Sequence, residues 1–225
     1  MTRTAIVTGS ASGIGAAVTT ALETDGYAVA GLDIHSSAPY VVDVSDSAEV
    51  DQTIKRVVAD LGPVDAVVSA AGHYEMVPIA DITRQQLHRM LRVHLGGLRN
   101  ITRSVLPSML ERGSGSIVAI ASELAIGGDD CGAHYTAAKG AIIGLVRSLA
   151  VEVAGRGVRV NAVAPGPTDT PLLAADSPWR APEYLETIPN RRLTRPDEIA
   201  EVVRFLLDTE FCVGEVLSPN GGAVI

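Results

Sequence analysis

The stretch AHYTAAKGAI, residues 133–142, carries a tyrosine at 135 and a lysine four places later, at 139. On a helix these positions lie one turn apart on one face, so a phenol and an ammonium can reach the same point in space. Such a pair suits proton exchange. An ordinary phenol titrates near ~10, and stabilising its anion by about 3 to 4 kcal/mol makes it a useful proton donor and acceptor near neutrality. One ammonium about 4 Å away supplies on the order of 4 kcal/mol at an effective dielectric of ~20, which predicts a depressed Tyr135 pKa. The competing reading is a lysine that snorkels to solvent beside a half-buried tyrosine, and the pair alone does not choose between them.

A second constellation lies near the N-terminus. TGSASGIG, residues 8–15, follows an apolar β-branched run and opens a helical pattern, with Gly9, Gly13 and Gly15 as its glycines. Glycines there let the chain turn tightly and bring a pyrophosphate to the helix N-terminus, where unpaired N–H groups and the dipole favour anions. Eighteen residues after Gly15, at the end of the next apolar run, stands Asp33. A carboxylate at that place accepts hydrogen bonds from the adenosine ribose hydroxyls. The same charge repels a 2′-phosphate, and neither Ser12 nor Ile34 offers a compensating cation, so these residues favour NAD over NADP.

Short β-branched runs alternate with longer helical patterns along the whole chain. The runs begin at Ala5, Tyr27, Tyr40, Val64, Ser116 and Val158, and a last one, GEVLSPNGG, closes the series. Helical patterns cover roughly 13–25, 45–61, 83–112, 135–154 and 196–208. Runs without polar alternation suit strands buried on both faces, and the alternation predicts a single α/β domain: a Rossmann-type, doubly wound parallel sheet of about seven strands with helices on both faces. Residues 171–196 break the rhythm with Pro171, Pro178, Pro182, Pro189 and Pro196 and the single tryptophan, Trp179. An irregular insert of that length is expected to form a lid or binding loop over a substrate.

These features resemble the short-chain dehydrogenase/reductase family from Thr4 to Gly222. TGSASGIG fits that family's TGxxxGxG element, Tyr135 and Lys139 its YxxxK pair, and Ser122 lies thirteen residues before the tyrosine, the usual family separation. The resemblance implies an NAD(H)-dependent oxidoreductase that interconverts a secondary alcohol and a ketone. In it Tyr135 exchanges a proton with the substrate, Ser122 polarises the substrate oxygen, and Lys139 also bonds the nicotinamide ribose. It further implies that Ser12 and Ile14 join the three glycines at the dinucleotide, Asp43 and Val44 contact adenine, and Ala71 and Gly72 line the cofactor. Pro165, Gly166, Thr168 and Thr170, in NAVAPGPTDT, then hold the carboxamide. Two departures stand out: VHLGG puts His94 where the family has a relay asparagine, and SAAG stands where NNAG is common. His94 is therefore either a substitute in the proton relay or a packed helix residue. If the relay is lost, the alternative is a dinucleotide-binding sensor whose chemistry has decayed. Family members commonly form homo-oligomers, tetramers or dimers, through the two long helices.

Composition narrows the partners. With 18 basic and 26 acidic residues the formal net charge is −8, which argues against nucleic acid or an anionic membrane surface as partner. Cys131 and Cys212 have neither metal-ligand nor disulfide-framework spacing, which predicts no metal site and a reducing, cytoplasmic setting. No signal-like or membrane-length apolar segment is read. Glu123, Leu124, Ala125, Asp129, Cys131, His73, Tyr74, Met76, Leu172, Leu173 and Trp179 are expected near the substrate, as an apolar slot with an acidic rim, unless Glu123, Asp129 and Asp130 are ordinary solvated loop charges, which the sequence equally allows.

Overall fold

The computed structural model describes residues 2–224. The chain runs β1 (Thr4–Thr8), α1 (Gly13–Thr24), β2 (Ala28–Asp33), β3 (Tyr40–Val41), α2 (Ser47–Leu61), β4 (Val64–Ser69), α3 (Arg84–Leu91), α4 (Gly97–Arg112) and β5 (Gly115–Ile120). It continues through α5 (Leu124–Gly127), α6 (Ala133–Val153), β6 (Val158–Val163), α7 (Pro182–Leu185), α8 (Pro196–Asp208) and β7 (Val216–Leu217). The seven strands form one sheet in the order β3-β2-β1-β4-β5-β6-β7, with every pairing parallel. This is the doubly wound α/β architecture read from the alternating runs.

Strand periodicity divides the core. Ile6 in β1 and Ile117 and Ala119 in β5 face one layer, with Val50, Ile54 and Val57 of α2, Ile101, Val105 and Met109 of α4, and Ile142 and Val146 of α6. Their neighbours Ala5, Val7, Val118 and Ile120 face the other, with Val18 and Leu22 of α1 and Ile199, Val203 and Leu206 of α8. Successive strand side chains alternate between faces, so strands covered on both sides read as unbroken apolar runs.

Two details depart from the sequence reading. The helix expected over 83–112 is not uniform: a π-helical turn, Arg92–Gly96, separates α3 from α4, and His94 lies within it. The insert at 171–196 is not featureless, since it holds a 3-10 turn (Pro178–Arg180) and α7, each with proline in its first turn. Arg180 ties the insert together, pairing with Asp169 at 2.7 Å and donating to the Leu173 carbonyl at 3.0 Å. Among the described residues no helix is long and apolar enough to cross a membrane.

The strand order reverses direction between β1 and β4, and the crevice beyond their carboxyl ends is where such sheets bind ligands. The Thr8 hydroxyl accepts from the backbone N–H groups of Ala70 and Ala71, at 3.0 and 3.1 Å, tying the two strand ends beside that crevice.

Candidate active site

The residues that the sequence pointed to for catalysis and for the dinucleotide all line one cleft of about 1210 Å3 beyond the carboxyl ends of the strands. The first part of it is the turn into α1. Gly9 has φ of 70° and Gly13 φ of 54°, conformations that side-chain-bearing residues rarely adopt. A Cβ on Gly15 would collide with the Gly9 carbonyl oxygen, so the glycines permit the tight turn rather than merely decorate it. Ser12, the N-cap of α1, makes no side-chain cap bond, and the first turn holds no acidic residue. The helix N-terminus therefore opens on the cleft with N–H groups suited to an anion.

Asp33 is fixed from both sides: one oxygen accepts from Ala11 N–H at 3.0 Å, the other from His35 N–H at 3.0 Å. Asp33 itself lines the cleft. Asp43 accepts from Ser45 N–H at 2.8 Å, and the Val44 carbonyl accepts from the Asn100 amide at 2.9 Å. Gly97 lets α4 approach this strip, because a Cβ there would come within 2.8 Å of Val44 Cγ2. On the opposite wall, Gly166 has no room for a side chain against the Asn220 backbone. The Thr168 hydroxyl donates to the Gly166 carbonyl at 2.8 Å and so retains only acceptor capacity toward a ligand.

The chemical end is assembled from β5 and α6. Ser122 follows the end of β5, while Tyr135 and Lys139 sit one turn apart on α6, all buried. The lysine does not snorkel. Its Nζ donates to the Ile120 carbonyl at 2.7 Å and lies 5.5 Å from the Tyr135 ring centre. Burial pushes Lys139 down to about 7. Tyr135 is pushed up, by burial first and then by the Glu123 carboxylate. The depressed tyrosine pKa expected from the i, i+4 pairing is thus not present here: desolvation weakens the ammonium itself, and Lys139 acts on the Ile120 carbonyl rather than on the phenol.

His94 is buried, and its Nε2 lies 2.9 Å from His73 O and 3.2 Å from His73 N, so one tautomer donates to the carbonyl and the other accepts from the N–H. Burial, then the Lys139 charge, hold the imidazole down to about 2. Neutral His94 thus ties the loop after β4 to the π-helical turn. Its Nδ1 has no partner among the described residues, and the ring meets Tyr135 edge-on at 5.5 Å. A Cβ on Gly72 would collide with this imidazole.

Of the residues expected near the substrate, Glu123, Leu124, His73, Tyr74, Leu172, Leu173 and Trp179 line the cleft, whereas Ala125, Asp129, Cys131 and Met76 do not. Tyr74 donates to Asp129 at 2.9 Å and packs edge-on against Tyr135. The acidic rim is corrected by the other side of the mouth, where Arg84, His88, Arg89 and Arg92 line the cleft and are exposed. Sequence reading missed them. The signal was present in RQQLHRMLR, where Arg84, His88 and Arg92 recur every four residues on one helical face.

A family model described as enoyl-(acyl carrier protein) reductase matches residues 9–224. The chain is similar to the 3-oxoacyl-(acyl-carrier-protein) reductase of Thermotoga maritima, 34% identical over 98% of this chain and 97% of the relative. It is also similar to the acetoacetyl-CoA reductase of Shinella zoogloeoides, 38% identical over 99% and 98%. The cis-4-hydroxycyclohexanecarboxylate dehydrogenase of Sinomonas cyclohexanicum is 36% identical over 98% and 96%.

Proposed function

Since the chain belongs to the short-chain dehydrogenase/reductase family, we propose that it is an oxidoreductase interconverting a secondary alcohol and its ketone with NAD(H), through Ser122, Tyr135 and Lys139. The observation that carries this reading is the meeting of those three side chains in one cleft with the open N-terminus of α1 and with Asp33. The residues present fit a dinucleotide: a glycine turn into the uncapped N-terminus of α1, the Asp33 carboxylate at the end of β2, and a small-residue wall at Pro165 and Gly166, all lining the cleft. Bound there, the dinucleotide supplies hydride transfer.

The chain supplies position and proton handling. The Tyr135 hydroxyl exchanges the proton with the substrate oxygen, and Ser122 hydrogen-bonds the same oxygen. Lys139, with one N–H on the Ile120 carbonyl, has further N–H groups for ribose hydroxyls. His94, neutral, holds the strip at Ala71 and Gly72 in register and offers Nδ1 to a relay water. Asp33 selects NAD by accepting from ribose hydroxyls and repelling a 2′-phosphate. The insert at 171–196 closes over the substrate, with Leu172, Leu173 and Trp179 as its apolar lining.

The test is a spectrophotometric screen with both dinucleotides against acetoacetyl-CoA, cyclohexanols and linear polyols. Turnover with NAD(H) in the wild type, lost by at least about 100-fold in Tyr135→Phe while NADH binding persists, is the expected result. Undiminished turnover in Tyr135→Phe would refute the assigned proton donor.

A further inference from the structure

Glu123, immediately after Ser122, is 5% exposed and lines the cleft. The Ser122 hydroxyl donates to its Oε2 at 3.1 Å, and the Leu124 N–H donates to Ser122 Oγ at 3.2 Å. A serine hydroxyl has one proton and two lone pairs, so these neighbours fix what remains for a substrate. With Glu123 ionised, the Ser122 proton goes to the carboxylate and Leu124 takes one lone pair; the other lone pair is left to receive a hydrogen. With Glu123 protonated, its own O–H can donate to Ser122 Oγ. Both lone pairs are then engaged, and the serine proton must point elsewhere, toward the substrate.

We propose that Glu123 is a positioning residue that sets the polarity of Ser122: protonated, it leaves the Ser122 hydrogen free to donate to the substrate oxygen, while Tyr135 handles the transferred proton; ionised, it takes that hydrogen for itself and withdraws the donor. This rests on the assignment of Ser122 to the substrate oxygen given above. The switch falls in a useful range, because burial pushes the Glu123 carboxyl up to about 7, against the opposing hydrogen bonds from its own N–H, Ser122 and the Leu124 N–H. The titratable groups around it are Asp129 after α5, itself bonded by Tyr74; Tyr135 on α6; and Tyr184 on α7. Asp129 adds to the upward shift of Glu123, and Lys139 is turned to the Ile120 carbonyl. The Ser122 donor to the substrate oxygen is therefore present below the Glu123 midpoint and withdrawn above it.

Two measurements test the pair. Infrared difference spectra of the full chain across pH read a protonated-carboxyl stretch that should be absent in Glu123→Gln and shifted in Ser122→Ala, where its hydroxyl partner is gone. A band present in the wild type but unmoved in Ser122→Ala overturns the coupling. In turnover, kcat/KM for reducing the fastest ketone of the screen should fall on the order of 100-fold as the pH rises through the Glu123 midpoint, the loss expected for one withdrawn oxyanion donor. Glu123→Gln should flatten that step; a profile matching the wild type overturns the proposal. Near-ultraviolet circular dichroism and NADH binding establish that each variant is folded. If the wild type reduces no ketone, the functional reading fails while the infrared result still decides the Glu123–Ser122 pair.

Discussion

Burial does more than the neighbouring charge to set proton affinity around Tyr135: the phenol is driven up, the Lys139 ammonium down to about 7 and the Glu123 carboxyl up to about 7. These shifts have stability consequences whose signs follow from linkage. Glu123 holds its proton better in the folded chain than in the unfolded one, where it titrates near ~4.3. Its favourable contribution is therefore complete below about 4.3 and is lost as the pH rises through the folded value. Lys139 is depressed and runs the opposite way, so the informative quantity is the difference between wild type and a Glu123 variant. Urea unfolding at about pH 5 and about pH 8 should show Glu123→Gln gaining on the order of 2 to 3 kcal/mol over wild type between the two. Parallel curves would mean that the carboxyl is not desolvated. Asp33 offers a second test at this scale. Replacing it with alanine removes a charged acceptor contributing about 1.5 to 3 kcal/mol, so NADH should bind roughly 10- to 100-fold more weakly and its advantage over NADPH should shrink. Tighter binding of NADPH than NADH by the wild type would overturn the role given to Asp33. Of the residues at this scale, Tyr135 and Lys139 were legible as types at a spacing, and Ser122 only through the family resemblance. Their pKa values were not, because desolvation depends on atoms from β5, α6 and α7 that no local window contains.

Among the elements, the β1–α1 turn and the π-helical turn do the positioning. The first was readable as a tight strand-to-helix turn, since glycines stand between an apolar run and a helical pattern, and Gly15 is where it is most sensitive. Gly15→Ala puts a methyl into the Gly9 carbonyl, which should cost about 1 to 3 kcal/mol by overpacking and weaken NADH binding more than it weakens folding. Calorimetric titration beside thermal unfolding separates the two, and unchanged affinity would argue against a pyrophosphate at this turn. The π-helical turn was not readable. The sequence 83–112 carries a continuous helical pattern, and the extra residue per turn at Arg92–Gly96 coincides with the bond that His94 makes to the His73 backbone in the loop after β4. The capping box of Thr83 and Gln86 set the start of α3 one residue inside the expected range. Likewise the proline spacing at 171–196 announced an irregular insert, while the Arg180 contacts that tie it together connect residues seven to eleven positions apart and carry no periodic signature.

At the level of the whole molecule, a chain of net charge −8 presents a basic edge, Arg84, His88, Arg89 and Arg92, at the mouth of its cleft. Local potential, rather than net charge, steers an anion into a cleft. Stopped-flow NADH association should slow with added salt, and Arg84→Gln combined with Arg92→Gln should slow it several-fold at low ionic strength, converging with wild type near ~1 M, where screening acts over about 3 Å. No difference at low salt would leave the basic edge without a steering role. The sequence by itself determined the doubly wound α/β class, the glycine turn into α1 and the Tyr135–Lys139 pair, because strand burial on both faces, glycine turns and the i, i+4 relation are local properties of the chain. Only the tertiary structure decided which groups desolvate one another: the lysine turned to Ile120, the imidazole tied to His73, and the glutamate closed over the serine. Those depend on distances between strand ends far apart in sequence, and the order in which the sheet brings them together sets the field in which every proton there is held.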